Sequence, residues 1–492
     1  MRKQITALLL VFATVFAAFA LAACSKPDEG TNEGGGESVE ITGITEPMSE
    51  GIPENFNYGK DFTFLTMKNV SSDEWSTRDI YVESESEDPI QTAVFRRNQW
   101  LAANYGINVK EIKITDMVNE AQTLIMAGSQ EFQALMLDAG TTSYLMTSGL
   151  LLDLAGPDSF IDYSKPWWDK ELVDGCSVNN KVFMLSGDIE IMDDDATWVL
   201  MFNKDMIGKY GLESPYDLVK NNQWTYDKMY EMMRVVAGDG KGDTNSNGKP
   251  DHDTDVFGWT THNSSRYALF YATGERLMTK DENDAVILNK GAVDTIQRAL
   301  EKSILLWDDR SLTFSADRVA LGSNETQEVF ESGRALFLGE VLQLAERLRG
   351  MSVDFGLIPY PKLDASQQKY GNFVHQQGAV LSVPKSVKDL EEVTIVLEIM
   401  AYASSWTLTP AYYDTTLEGK FLRDEDSKPM LDIILSSKIY DLGYLNNFGD
   451  IGDIFPTLLA EGSTNFSSKF ASKINPAESK IRTFMKKMAT AG

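Results

Sequence analysis

Asp243, Asn245, Asn247 and Asp251 stand at alternate positions of the stretch DTNSNGKPDHD, around Gly248. Side-chain oxygens at the first, third, fifth and ninth places of a loop, a backbone carbonyl at the seventh and a glycine at the sixth for the sharp turn form a calcium frame. Lys249 supplies the carbonyl. Thr254 stands where such loops carry a bidentate glutamate, so the remaining oxygen must come from Asp253 or Asp255. Calcium is therefore the expected cofactor. A loop of this kind is not catalytic by itself, and the chain has no nucleophile elbow, no His-Glu-x-x-His zinc helix and no Gly-rich phosphate loop. The expectation is a protein that is not an enzyme.

The elements that must position such residues begin after an export signal. MRKQITALLLVFATVFAAFALAAC has a basic start at Arg2 and Lys3, an uncharged apolar run, and small residues before Cys24. That pattern marks residues 1–23 as a signal peptide. Its end resembles the lipobox of bacterial lipoproteins, with Cys24 the lipidated residue, which implies an exported protein held by a lipid at the outer face of the cytoplasmic membrane. Residues 24–57 are rich in Gly, Glu, Ser and Pro and read as a disordered tether. Cys176 is the only other cysteine, so no disulfide framework is available and stability must come from a large core.

The chain of 492 residues is long enough for two lobes. Its net charge of −28 argues against nucleic acid or an anionic membrane surface as partner, leaving the lipid as the membrane contact. From Asp61, DFTFLTM and INVKEIKI read as strands, DPIQTAVFRRNQWLAANYG as a helix closed by Gly106, and QALMLDAG as a strand buried on both faces. This alternation predicts an α/β lobe over 58–200. A more helical second lobe follows over 201–325, where Val293, Ile296, Leu300, Ile304 and Trp307 make one apolar stripe. Residues 326–492 return to short strands and then to helices. Chain crossings between lobes make a hinge, with a cleft between the lobes beyond the strand ends.

The lipobox, SKPWWDKELVDGCSVNNKVFMLSGD, MFNKDMIGKYGLESPYDLVKNNQWTYDKM, the Asp/Asn loop, FESGRALFLGE, DFGLIPYPKLDASQQKYGNFVH and PAYYDTTLEGKFLRD, in this order, resemble the extracellular solute-binding proteins of bacterial ABC importers. The subgroup is one associated with carbohydrates. The resemblance implies a two-lobed, type II periplasmic-binding-protein-like fold that closes by a hinge on a small carbohydrate, expectedly an oligosaccharide. It further implies delivery to the permease membrane subunits, action as a monomer, and a structural calcium site built from Asp243, Asn245, Asn247, the Lys249 carbonyl and Asp251, with Asp255 or Asp253 as the sixth ligand. His252 departs from the glutamate that relatives carry there.

A sugar site needs aromatic plates for C–H faces and carboxylates, amides or arginine for the hydroxyl rim. Candidates at strand ends or in loops are Asn69, Trp75, Asp138, Asp188, Trp259, Arg266, Glu340, Trp406 and Tyr412. Tyr267 and His375 are weaker candidates, and the adjacent pair Trp167–Trp168 reads as packing. Two other classes compete: a lipid-anchored glycoside hydrolase using two carboxylates, and a cell-wall carbohydrate-binding or sensor protein.

Overall fold

A computed structural model describes residues 48, 51–71, 73–319, 323–417 and 425–491. The signal peptide, Cys24 and most of the tether lie outside the described residues. Ile41–Gly492 form one compact unit holding two main sheets.

The first sheet carries Lys60–Met67 (β1), Ile107–Ile114 (β2) and Ala134–Asp138 (β3). β1 runs parallel to both β2 and β3, and its inner half and β3 are buried, whereas the edge strand β2 alternates buried and exposed positions. The helix Pro89–Tyr105 joins β1 to β2. Asp88 accepts from the amides of Ile90 and Gln91, proline opens the first turn, and Gly106 at φ 60° closes the last.

The second sheet receives Trp198–Asn203 (β4), which is buried throughout, then Phe257–Thr261 (β5). A small hairpin, Met278–Lys280 (β6) with Val286–Leu288 (β7), stands apart. Thr313–Ser315 (β8), Ala335–Val341 (β9) and Phe355–Ile358 (β10) complete the sheet in the order β10-β4-β9-β5-β8. The predicted stripe forms the helix Val293–Trp307, with Ile296, Leu300 and Trp307 buried.

After Asn372–Phe373 (β11), the strand Ala379–Ser382 (β12) pairs antiparallel with β3 in the first sheet, and Lys438–Ile439 (β13) pairs with β11. The chain thus leaves the first sheet through residues 186–197 and returns through 372–378. These two crossings run side by side, bridged at Thr197 and Val374, with His375 donating its amide to the Ala196 carbonyl at 3.0 Å.

Three boundaries shift from expectation. Trp198–Leu200 already pair with β9 and β10, so the second sheet starts before residue 201. β9 and β10 stay in that sheet, β9 at its centre and β10 at one edge, both buried throughout, so the return falls at 372 rather than 326. Met48, Ile52 and Phe56, assigned to the tether, pack against the core, since these apolar side chains have a buried face available to them.

Candidate functional site

Between the ends of the two sheets lies a cleft of about 360 Å³. Its walls come from residues at strand ends and in the loops that follow them. Trp75 comes from the turn Asp73–Trp75 after β1, Trp198 opens β4, His262 follows β5, Glu340 and Val341 end β9, and His375 and Gln377 come from the return crossing. Trp198 is 1 % exposed, its ring meets His262 edge-on at 5.0 Å, and its indole N–H has no acceptor among the described residues. A buried donor without an acceptor is costly, so the position favours an occupant bearing one.

The charges of the cleft come in pairs. His262 Nε2 lies 3.1 Å from a Glu340 carboxylate oxygen, while Glu340 also accepts from the Val341 amide at 2.9 Å. Burial pulls the His262 imidazole down, but Glu340 more than offsets it and the net shift is upward. His375 goes the other way: burial, then the neighbouring His262, push it down to about 4, so it is neutral at pH 7. At the mouth, Arg347 holds Glu74, Gln343 donates to the Glu74 carbonyl at 2.7 Å, and Arg78 reaches Glu346 at 3.1 Å. These bonds join the turn after β1 to the helix Gln343–Arg347 after β9, one element from each sheet.

Of the sequence candidates, the structure brings Trp75 and Glu340 to this cleft. Trp259 is fully buried inside the second sheet, edge-on to Trp307 at 5.9 Å, because its alternate position on β5 faces the helix Val293–Trp307. Arg266 is held within the same lobe by the carbonyls of Asn263 and Pro456. Trp406 ends the helix Leu390–Trp406 and packs edge-on to Trp100. Asn69 is engaged by its own turn, accepting from the Ser71 amide. Asp138 caps the helix Ala139–Thr147 through one oxygen and leaves the other without a partner. Tyr267 stacks on Phe373.

Asp188 and Tyr412 line a different cavity, of about 580 Å³, beside the crossing at 186–197. Lys438 sits there, within 2.8 Å of Asp169, 2.6 Å of Asp193 and 2.7 Å of Asp194. Burial lowers its affinity for a proton, but the three carboxylates raise the ammonium well above its ordinary range. Asp188, pushed up to about 6 by burial, accepts from Thr409 at 2.7 Å. Trp167 and Trp168 both give their indole N–H to buried Glu398, at 3.0 and 2.8 Å, and so serve the interior.

Sequence reasoning did not single out Trp198, His262 or Gln343, and gave His375 only as a weaker candidate. The available signal was position: Trp198 and His262 adjoin strand ends, but β5 was not read as a strand.

The Asp/Asn loop takes the expected turn. Asp243 accepts from the amides of Asn247 and Gly248, Asn245 from Asn247, and Asn247 from Lys249, while Gly248 adopts φ 72°. The oxygen-only donor set suits calcium. Asp255 is buried and binds the amides of Thr244 and Asp251, a stitch across the loop. Among the described residues, the acids and imidazole near enough to share an ion are Asp251, His252 and Asp253.

The family of bacterial extracellular solute-binding proteins matches residues 84–405, and the chain belongs to it. That family consists of binding proteins, not enzymes. No curated protein matches the sequence. Solved structures share the fold. A cyclo/maltodextrin-binding protein complexed with maltotetraose is 13% identical over 87% of this chain and 97% of its own, with a TM-score of 0.53. The apo form of RafE from Streptococcus pneumoniae is 14% identical over 85% and 98%, TM-score 0.53. A sugar transporter from Rhizobium etli in an open conformation is 12% identical over 88% and 100%, TM-score 0.52. Among the described residues, no helix is long and apolar enough to cross a membrane.

Proposed function

We propose that this chain is the lipid-anchored capture subunit of an ABC importer, taking a carbohydrate, best an oligosaccharide, into the cleft and handing it unchanged to the permease. The supporting observation is the buried Trp198 N–H without an acceptor, in a cleft that also offers the Trp75 plate and an amide and carboxylate rim. A sugar hydroxyl supplies an acceptor there, and its C–H face suits indole. The cleft's cations are already paired with carboxylates, which favours an uncharged solute. The crossings at 186–197 and 372–378 serve as the hinge, and Cys24 carries the lipid. Calcium held by Asp243, Asn245, Asn247, the Lys249 carbonyl and Asp251 acts as a clip on the loop, stitched by Asp255.

The test is a thermal-shift screen of neutral mono- and oligosaccharides, followed by chromatography of the bound sugar. The expected result is a saturable rise in melting temperature with one glycan class and recovery of that glycan intact. Release of shorter products on prolonged incubation, or no shift with any carbohydrate, would overturn the reading.

A further inference from the structure

The net charge of −28 is unevenly spread. The last helix, Phe466–Thr490, carries Lys469, Lys473, Lys480, Arg482, Lys486 and Lys487 against a single acid, Glu478, which is engaged by Lys290. Lys473, Lys480 and Lys487 fall seven residues apart and so recur on one helix face, roughly 10 Å from one to the next. All three line a groove of about 610 Å³ between this helix, the turn Asn446–Asp450 and Thr147.

The groove is fixed by packing. Its floor is Phe448 edge-on to Phe484 at 5.2 Å, both buried. Gly449, at φ 64°, lies so close to Pro476 and Ala477 that a Cβ would meet their backbone at 2.8 Å, which holds the turn against the helix. Lys473 pairs with Asp450 at 2.9 Å; Lys480 and Lys487 are exposed and have no ion pair among the described residues.

We infer that this groove is a docking site, separate from the sugar cleft, for a linear polyanion bearing repeated phosphate charges. Lysine suits phosphate as a point charge. Lysines recurring along one channel present a line of positive charge that a linear polyanion can follow. The surrounding negative potential disfavours any broad anionic surface and confines the contact to this stripe.

The experiment titrates the full-length protein with inorganic polyphosphate chains, with orthophosphate at equal phosphate concentration, and with vesicles of phosphatidylcholine and phosphatidylglycerol. Polyphosphate should bind with a log affinity that falls with log salt at a slope of about 1.4, as phosphate contacts to Lys480 and Lys487 require, Lys473 being held by Asp450. K480Q/K487Q should cut that slope to below about 1 and weaken binding about tenfold in low salt, while the glycan-induced thermal shift stays unchanged. Absence of polyphosphate binding, an unaltered slope in the variant, equal binding of orthophosphate, or binding to vesicles but not to chains would each refute the proposal. The salt slope of the unaltered protein provides a readout that does not depend on the variant.

Discussion

Glu74 and Arg347 meet at the cleft mouth, a carboxylate oxygen 2.9 Å from the guanidinium, with one residue following β1 of the first sheet and the other following β9 of the second. Both are exposed, so the pair contributes little to folding, as surface ion pairs generally do. Its position gives it a different weight: it forms only when the two sheets are near each other. Arg347→Ala should therefore raise the glycan dissociation rate about two- to fivefold and leave the melting temperature within a degree or two. Stopped-flow release from Glu74→Ala, Arg347→Ala and the double variant checks this. Additive effects of the two single substitutions would show that the pair is not a latch.

Trp198 permits a cleaner separation of binding from stability. Trp198→Phe keeps most of the ring but deletes the N–H that has no acceptor. The apo protein should lose little stability, because no existing hydrogen bond is broken. Glycan affinity should fall about tenfold, near 1.4 kcal/mol, the size of a typical hydrogen bond. Calorimetric titration beside a thermal melt measures both, and an unchanged affinity would mean that the ligand never reaches the indole nitrogen.

Much of the first sheet was legible because its strands have a single job. DFTFLTM, INVKEIKI and QALMLDAG correspond to β1, β2 and β3, and the helix closed by Gly106 ends where its left-handed glycine requires. β5 escaped notice because FGWTT is short and half polar, its threonines donating to the carbonyls of Thr326 and Gly339 rather than facing water. The site was less legible for a related reason. Strand ends supply candidates, but whether Trp259 or Trp75 faces the cleft depends on sheet order, and that order comes from pairings far apart in sequence. Asp188, after MLSG, was picked by the same logic. Lys438, which neutralises nearby Asp193 and Asp194, lies too far along the chain for any local pattern to join it to them.

Lys438 neutralises a buried group of acids next to the crossing. Lys438→Met would leave Asp169, Asp193 and Asp194 close together without their cation, where each must stay desolvated or take up a proton. Breaking such an arrangement from one side costs about 3–5 kcal/mol. Urea unfolding at pH 7 should show that loss, and lowering the pH should narrow the gap to the parent protein as the carboxylates protonate. A loss below about 1 kcal/mol at neutral pH would show that the acids are solvated or already protonated.

Removing calcium tests the loop. If the Asp243, Asn245 and Asn247 oxygens and the Lys249 carbonyl hold the ion, a chelator should lower the melting temperature by several degrees and added calcium should restore it. Asp243→Ala should melt like the chelated protein and ignore calcium. Identical curves with and without the ion would dismiss the clip, leaving the Asx turns and the Asp255 stitch to hold the loop unaided.

The two cleft histidines give opposite pH signatures. His375 has a folded pKa of about 4, below the ordinary 6.5, so between those values the unfolded chain binds a proton that the folded one refuses. Its contribution is therefore fully present above pH 6.5 and is lost as the pH falls toward 4. His262 is raised by Glu340, so its contribution is present below pH 6.5 and is lost as the pH climbs through its elevated folded value. His375→Gln should flatten the acid side, making the fall in stability between pH 6.5 and 4 smaller by about 1–2 kcal/mol; water at the half-buried ring keeps this below the full conversion. His262→Gln should leave the acid side unchanged and instead remove the loss of stability that the parent shows as the pH rises above 6.5. Denaturant titrations at half-unit pH steps distinguish the two, and parallel profiles for both variants and the parent would mean that neither imidazole carries the assigned linkage.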